Sequence, residues 1–151
     1  MRFEVVRTLP VSRVKGFEYM RDMATWPAWT PLTVDVEDGT FLFSPVRTVR
    51  FMGRVTMEEE VAHEAMTFVF TSPAFPPVEM RWSFRNSGPG AFTLRVVVST
   101  APKDAWHQIV EGLTLMMPTL KRALMRSLDK LELVFLGELP MAPADKEMVS
   151  V

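Results

Sequence analysis

Apolar and polar residues alternate through most of the first hundred positions and then change to a three-to-four spacing, which divides the chain into a β-rich body followed by a helix. Residues 2–9 are extended, with Phe3 and Val5 on one face and Val6 and Thr8 on the other, and Pro10 ends the run. Ser12 can accept from a free backbone N–H and so cap a short helix through Met23, in which Val14, Phe17 and Met20/Arg21 keep helical spacing. Pro27 and Pro31 bound a second short helical turn around WPAWTP.

From residue 33 to 100 the period is two. The clearest strand is 78–85, where Val78, Met80, Trp82 and Phe84 alternate with Glu79, Arg81, Ser83 and Arg85. Phe92, Leu94, Val96 and Val98 repeat the pattern after NSGPG at 86–90, whose residues suit a tight turn, and the two runs form a hairpin. Upstream, 65–71 alternates Met66, Phe68 and Phe70 with Thr67, Val69 and Thr71, and 47–52 and 54–62 read as two strands joined at Met52-Gly53. Connections this short make antiparallel neighbours.

In 103–136, Trp106, Ile109/Val110, Leu113, Met116/Met117, Leu120, Leu124, Leu128 and Leu131 share one stripe, while Lys121, Arg122, Arg126, Asp129 and Lys130 lie elsewhere. This is a long amphipathic helix. Gly112 and Pro118 interrupt it, and because an internal proline forfeits a hydrogen bond and crowds the preceding turn, a bend is expected near 114–118. The order is therefore a strand, two short helices, about six antiparallel strands and one long helix. An antiparallel sheet with one apolar face needs a cover, and the terminal helix is the only large one available. The fold class is α+β, with a curved antiparallel sheet wrapped around a long C-terminal helix.

Composition narrows the chemistry. The 151 residues carry 17 Lys+Arg against 18 Asp+Glu, so no global charge draws the chain to nucleic acid or to anionic lipid. With no cysteine, disulfide scaffolds, thiolate nucleophiles and Cys-ligated metals are excluded, and a reducing, cytoplasmic location is the expectation. Charges at Arg2, Glu4 and Arg7 break any apolar run at the N-terminus, which is neither a signal peptide nor a membrane span. Residues 1–137 are expected to form one domain, with 138–151 a loose tail.

Three stretches carry a family resemblance: the extended opening that ends in LPVSRV and leads into a helix, ATWPAWTP at 24–31, and EGLTLMMPTLKRALMRSLDKLE at 111–132. In this order they resemble the SRPBCC, or START-like, superfamily, and within it the polyketide cyclase/dehydrase and lipid-transport branch. Where many members have a glycine-led strand pair after the second helix, SPVRTV stands here at 44–49. The resemblance implies a helix-grip fold with a cavity between sheet and long helix that takes a hydrophobic small molecule or lipid. It does not imply catalysis, and no cofactor or metal is expected.

The residues allow the same cavity. Twelve methionines and eleven phenylalanines supply adaptable and flat apolar walls. Met52, Met57, Met66, Met80, Met116 and Met117 are expected to point inward, together with Phe68, Phe70 and Phe84. Trp29 and Trp82 are the candidates to stack on a flat ligand, although a tryptophan in a small domain is more often a core anchor. The expected lining is Trp29, Met52, Met57, Phe68, Phe70, Met80, Trp82 and Phe84 from the body, with Val96, Leu113, Met116, Met117 and Leu120. Two polar groups are open alternatives. If 54–62 alternates regularly, Glu59 shares the face of Val55 and Met57, where burial would raise its pKa and suit it to acid–base work; a one-residue slip, or an exposed EEE run at 58–60, turns it outward. Arg50 would join it if it faces inward with Met52. His63 and His107 lack a third ligand for zinc, and no G-x-S-x-G, G-x-G-x-x-G or P-loop occurs. Two functions remain from the sequence: a carrier of an apolar ligand, and an enzyme of the aromatase/cyclase type. A protein-recognition domain is a third possibility.

Overall fold

The computed structural model describes residues 2–100 and 106–142, with side chains described for 2–100 and 117–142. Seven strands form one antiparallel sheet: β1 (Arg2–Leu9), β2 (Leu32–Val34), β3 (Thr40–Val46), β4 (Val49–Val61), β5 (Ala65–Ser72), β6 (Phe75–Asn86) and β7 (Phe92–Thr100). Their order across the sheet is β1-β7-β6-β5-β4-β3-β2, so only the pairing of β1 with β7 joins strands distant in sequence. Between β1 and β2 lie α1 (Arg13–Arg21) and a 3₁₀ helix (Met23–Ala28), and the long α2 (Trp106–Phe135) follows β7. This is the expected α+β architecture.

Local chemistry fixes these elements, with α1 ending at Arg21 rather than at the expected Met23. Ser12 Oγ accepts from the Lys15 backbone N–H at 3.2 Å and caps α1. Asp22 Oδ1 accepts from Ala24 N and starts the 3₁₀ helix. Along α2, Ala123, Ser127, Leu128, Leu131 and Val134 are buried at the period of a helix packed on one side, and the Arg7 guanidinium ties β1 to α2 through Asp129 at 2.7 Å. Helix α2 continues through Pro118 to Phe135, and the expected inward side chains of Leu113 and Met116 lie outside the described residues, as do those of Trp106 and His107. Gly137, at φ 80°, lets the chain turn off the helix end while Glu138 N donates to Leu133 O at 2.9 Å. Leu139 packs against the core and Tyr19 Oη donates to the Met141 carbonyl, so the chain stays against the body there. The tail expected beyond this lies, from residue 143, outside the described residues.

The third and fourth strands correct the sequence reading. Residues 47–52 and 54–62 are not two strands joined at Met52-Gly53; β4 is one strand of 13 residues, and the turn falls at Arg47-Thr48. Gly53 serves close packing rather than a turn. A Cβ there would collide with the Thr71 carbonyl oxygen and lie 2.9 Å from the Phe41 ring. Continuity then sets the parity: Phe51, Val55 and Met57 face the helix side, while Met52 is 70% exposed and Arg50 is exposed on the outer face.

Candidate functional site

The inner face of the sheet is a groove whose two ends are built differently. Toward one end, β1, β7 and β6 bring Leu9, Phe92, Leu94 and Phe84 together in register, and Phe17 of α1 meets Phe84 edge to face with ring centroids 5.2 Å apart. Phe84 stacks on Phe92, whose ring also meets Phe135 of α2. The middle row, Val5, Val96, Trp82 and Met66, is buried on all four of the strands that carry it. Toward the other end, Phe3, Val98 and Met80 come from the edge and centre of the sheet, while Leu32, Phe41 and Phe43 come from the opposite edge. Here α2 presents Leu120, Ala123, Leu124 and Ser127, and a half-enclosed cavity of about 80 Å³ remains between helix and sheet.

The hollow is apolar and flat-walled. Phe41 meets Phe70 edge to face at 5.5 Å, Trp29 lies 6.0 Å from Trp82, and Phe68, which does not itself line the hollow, lies 4.9 Å from Trp82. Tryptophan chemistry separates three rings that share this wall. Trp26, 1% exposed, donates from Nε1 to the Met20 carbonyl at 2.8 Å and is fully satisfied. Trp29 and Trp82, 3% and 4% exposed, have buried Nε1 atoms with no hydrogen-bond partner among the described residues. A buried donor left unanswered costs about 1–3 kcal/mol. The other polar atoms of the lining answer one another: Ser127 Oγ donates to Ala123 O at 2.7 Å and lies 3.0 Å from Thr30 Oγ1. No Asp, Glu, His, Lys, Arg or Tyr is among the described residues that line the cavity.

The acid–base candidates lie elsewhere. The register of β4 against β5 shifts between Met57 and Glu59, leaving Glu58 as an extra residue. Beyond that bulge the parity is exchanged, so Glu59 sits opposite Thr67 on the outer face, where Arg81 Nη1 bonds it at 3.1 Å. Glu60 takes the inner parity at the sheet rim and pairs with Arg21 of α1 at 2.6 Å. The Arg50–Glu59 couple does not form. His63 occupies the β4–β5 turn at φ 61° and bonds Glu18 of α1 across 3.1 Å.

No family model matches the chain, and no curated protein matches it. Solved structures do. The di-domain ARO/CYC BexL from the BE-7585A biosynthetic pathway superposes with a TM-score of 0.69 at 14% identity, over 87% of this chain and 45% of BexL, so the chain spans under half of that protein's length. A START superfamily protein from Mycobacterium smegmatis gives 0.57 at 12% identity, over 86% of this chain and 98% of that one. A protein of Thermus thermophilus gives 0.69 at 13% identity, over 91% and 98%. The fold is the START-like helix grip.

Within this START-like fold, the structure gathers part of the expected lining. Trp29, Phe70, Met80, Trp82 and Leu120 surround the hollow. Phe84 and Val96 are buried in the solid core instead, Phe68 is buried against Trp26 and Trp82 without lining the hollow, and Met57 and Met117 are half-buried away from the cavity. Met52 is corrected to the outer surface. The main residues missed are Phe41 and Phe43 of β3 and the Thr30/Ser127 pair. Phe41 and Phe43 do alternate, but Leu42 and Pro45 blur the period, whereas Ser127 was readable as a hydroxyl set in the apolar stripe between Leu124 and Leu131. Among the described residues no helix is long and apolar enough to cross a membrane.

Proposed function

We propose that this protein holds a hydrophobic small molecule between its sheet and α2, as a binding or carrier module, with residues 1–137 as the binding unit. The observation that carries this reading is the half-enclosed cavity of about 80 Å³ with an almost wholly apolar, aromatic wall. Small-molecule sites have this character, with a few placed polar groups, and commonly measure roughly 300–1,000 Å³. The hollow is smaller. It suits a ring-sized group inside, with the remainder of a larger ligand at the open mouth or admitted by movement of Met80 and Leu124, whose side chains are adaptable. The fold shared with the START superfamily protein and with BexL supports the same reading. Catalysis of the aromatase/cyclase type would need at least two titratable groups converging on the bound molecule, and the described lining supplies none.

Native mass spectrometry of freshly purified protein tests the proposal. The expected result is a chain carrying one adduct that leaves on mild activation and partitions into organic solvent. A bare chain whose melting temperature is also unmoved by fluorene and fluorenone, two flat apolar probes, would overturn it.

A further inference from the structure

The two unanswered indoles specify the ligand more narrowly. This step rests on the cavity reading above and deepens it. Trp29 and Trp82 line the same hollow, their rings lie 6.0 Å apart, and both Nε1 atoms are buried without a partner among the described residues. An indole N–H is a donor only, so what answers it must be an acceptor. The neighbouring hydroxyls do not answer them: Ser127 Oγ bonds Ala123 O and Thr30 Oγ1, and neither hydroxyl is a hydrogen-bond partner of either indole. No cationic side chain is among the described lining residues, so a carboxylate or phosphate carried inside would lose its hydration without gaining an opposite charge. The acceptor is therefore uncharged. The walls nearest it are ring faces and edges, from Trp29, Trp82, Phe41, Phe43 and Phe70, which favour a planar partner by offset or edge-to-face contact.

We infer that the cavity selects a flat, uncharged ring compound bearing a carbonyl oxygen, which accepts from the indole N–H of Trp29 or Trp82, and that it discriminates against fatty acids and other anionic lipids. A carbonyl oxygen has two lone pairs and brings no donor of its own that would need satisfying. A hydroxyl would bring one.

Matched probes isolate the carbonyl. Fluorene and 9-fluorenone differ by that group and little else, and laurate supplies the anionic lipid chain. Titrations followed by tryptophan fluorescence and calorimetry should show fluorenone binding about tenfold tighter than fluorene, as expected for answering a buried donor, with laurate weakest. The Trp29→Phe/Trp82→Phe double variant should bring the fluorenone-to-fluorene ratio close to one. Because that variant removes two buried rings, the wild-type chain provides a second readout. Its four tryptophans give four indole ¹H–¹⁵N resonances, and fluorenone should move that of Trp29 or Trp82 downfield where fluorene does not. Equal binding of fluorene and fluorenone, as when ordered water already answers the indoles, would overturn the carbonyl inference while leaving an apolar-ligand site standing. Tighter binding of laurate would also overturn it. Failure of all three probes to bind would remove the cavity reading itself.

Discussion

The two ends of the groove are made from the same residue types and share β1, β6 and β7, yet one is solid and the other hollow. At the solid end, α1 places Phe17 against Phe84 and Phe92 while α2 adds Phe135, so rings from four elements interlock. At the hollow end the sheet widens to β2 and β3, and α2 offers Ala123 and Ser127 where a large side chain would fill the space. Trp26 has a backbone carbonyl for its N–H; Trp29 and Trp82 have no partner among the described residues. The contrast separates stability from binding. Closed packing and satisfied polar groups hold the fold, while missing volume and missing partners mark the place where the proposed ligand would sit.

The largest expected effect comes from cutting into the packed region. Phe92→Ala, at a residue with 0% exposure, should destabilise the chain by about 3–5 kcal/mol in urea unfolding. Phe43→Ala, at a half-buried ring beside the hollow, should cost less than half of that. Equal costs would erase the distinction between the ends. The tryptophans give the next test. Trp26→Phe should cost roughly 1–3 kcal/mol more than Trp82→Phe, because it strands the Met20 carbonyl, whereas Trp82→Phe removes a donor that has no partner. A smaller stability change, within about 1 kcal/mol, is expected for Ala123→Leu, which adds bulk where space exists. The same change should weaken fluorene binding at least about tenfold by calorimetry, and an unaltered affinity would place the ligand elsewhere.

How much of this was legible depended on whether a local signal had one physical meaning. The Ser12 cap, the NSGPG hairpin and the α2 stripe each had one, so the element order followed from the sequence. Gly53 had two. A glycine between apolar runs reads as a turn, but here its missing side chain lets the strand approach Thr71 and Phe41, and that one difference moved Met52 and Arg50 to the other face. The bulge at Glu58 left no trace in the EEE run, since three identical residues cannot report which face each takes. The hollow itself was least legible. Alternation tells which side chains point inward; whether opposing side chains meet depends on how far the sheet curls from α2.

The smallest expected effect lies on the outer face. Arg95 bonds both oxygens of Glu4, at 2.7 and 2.8 Å, and this bonding holds the Glu4 carboxyl below the ordinary carboxylate range. A carboxyl with a depressed folded-state pKa adds stability above its unfolded pKa and loses it as pH falls through the folded value. Glu4→Gln should therefore flatten the acid side of a stability–pH profile below about pH 4.5 and leave ligand binding alone. A profile that steepens would contradict the pairing.

Methyl NMR of Met80 and Met66 compares the two regions in one sample. Met80 lines the hollow and Met66, 0% exposed, lies in the closed core. On titration with fluorene, the ring current of a bound probe should shift the Met80 ε-methyl resonance and leave that of Met66 in place. If Met66 moves while Met80 stays, or if neither responds at saturating probe, no ligand enters between α2 and the sheet at this end.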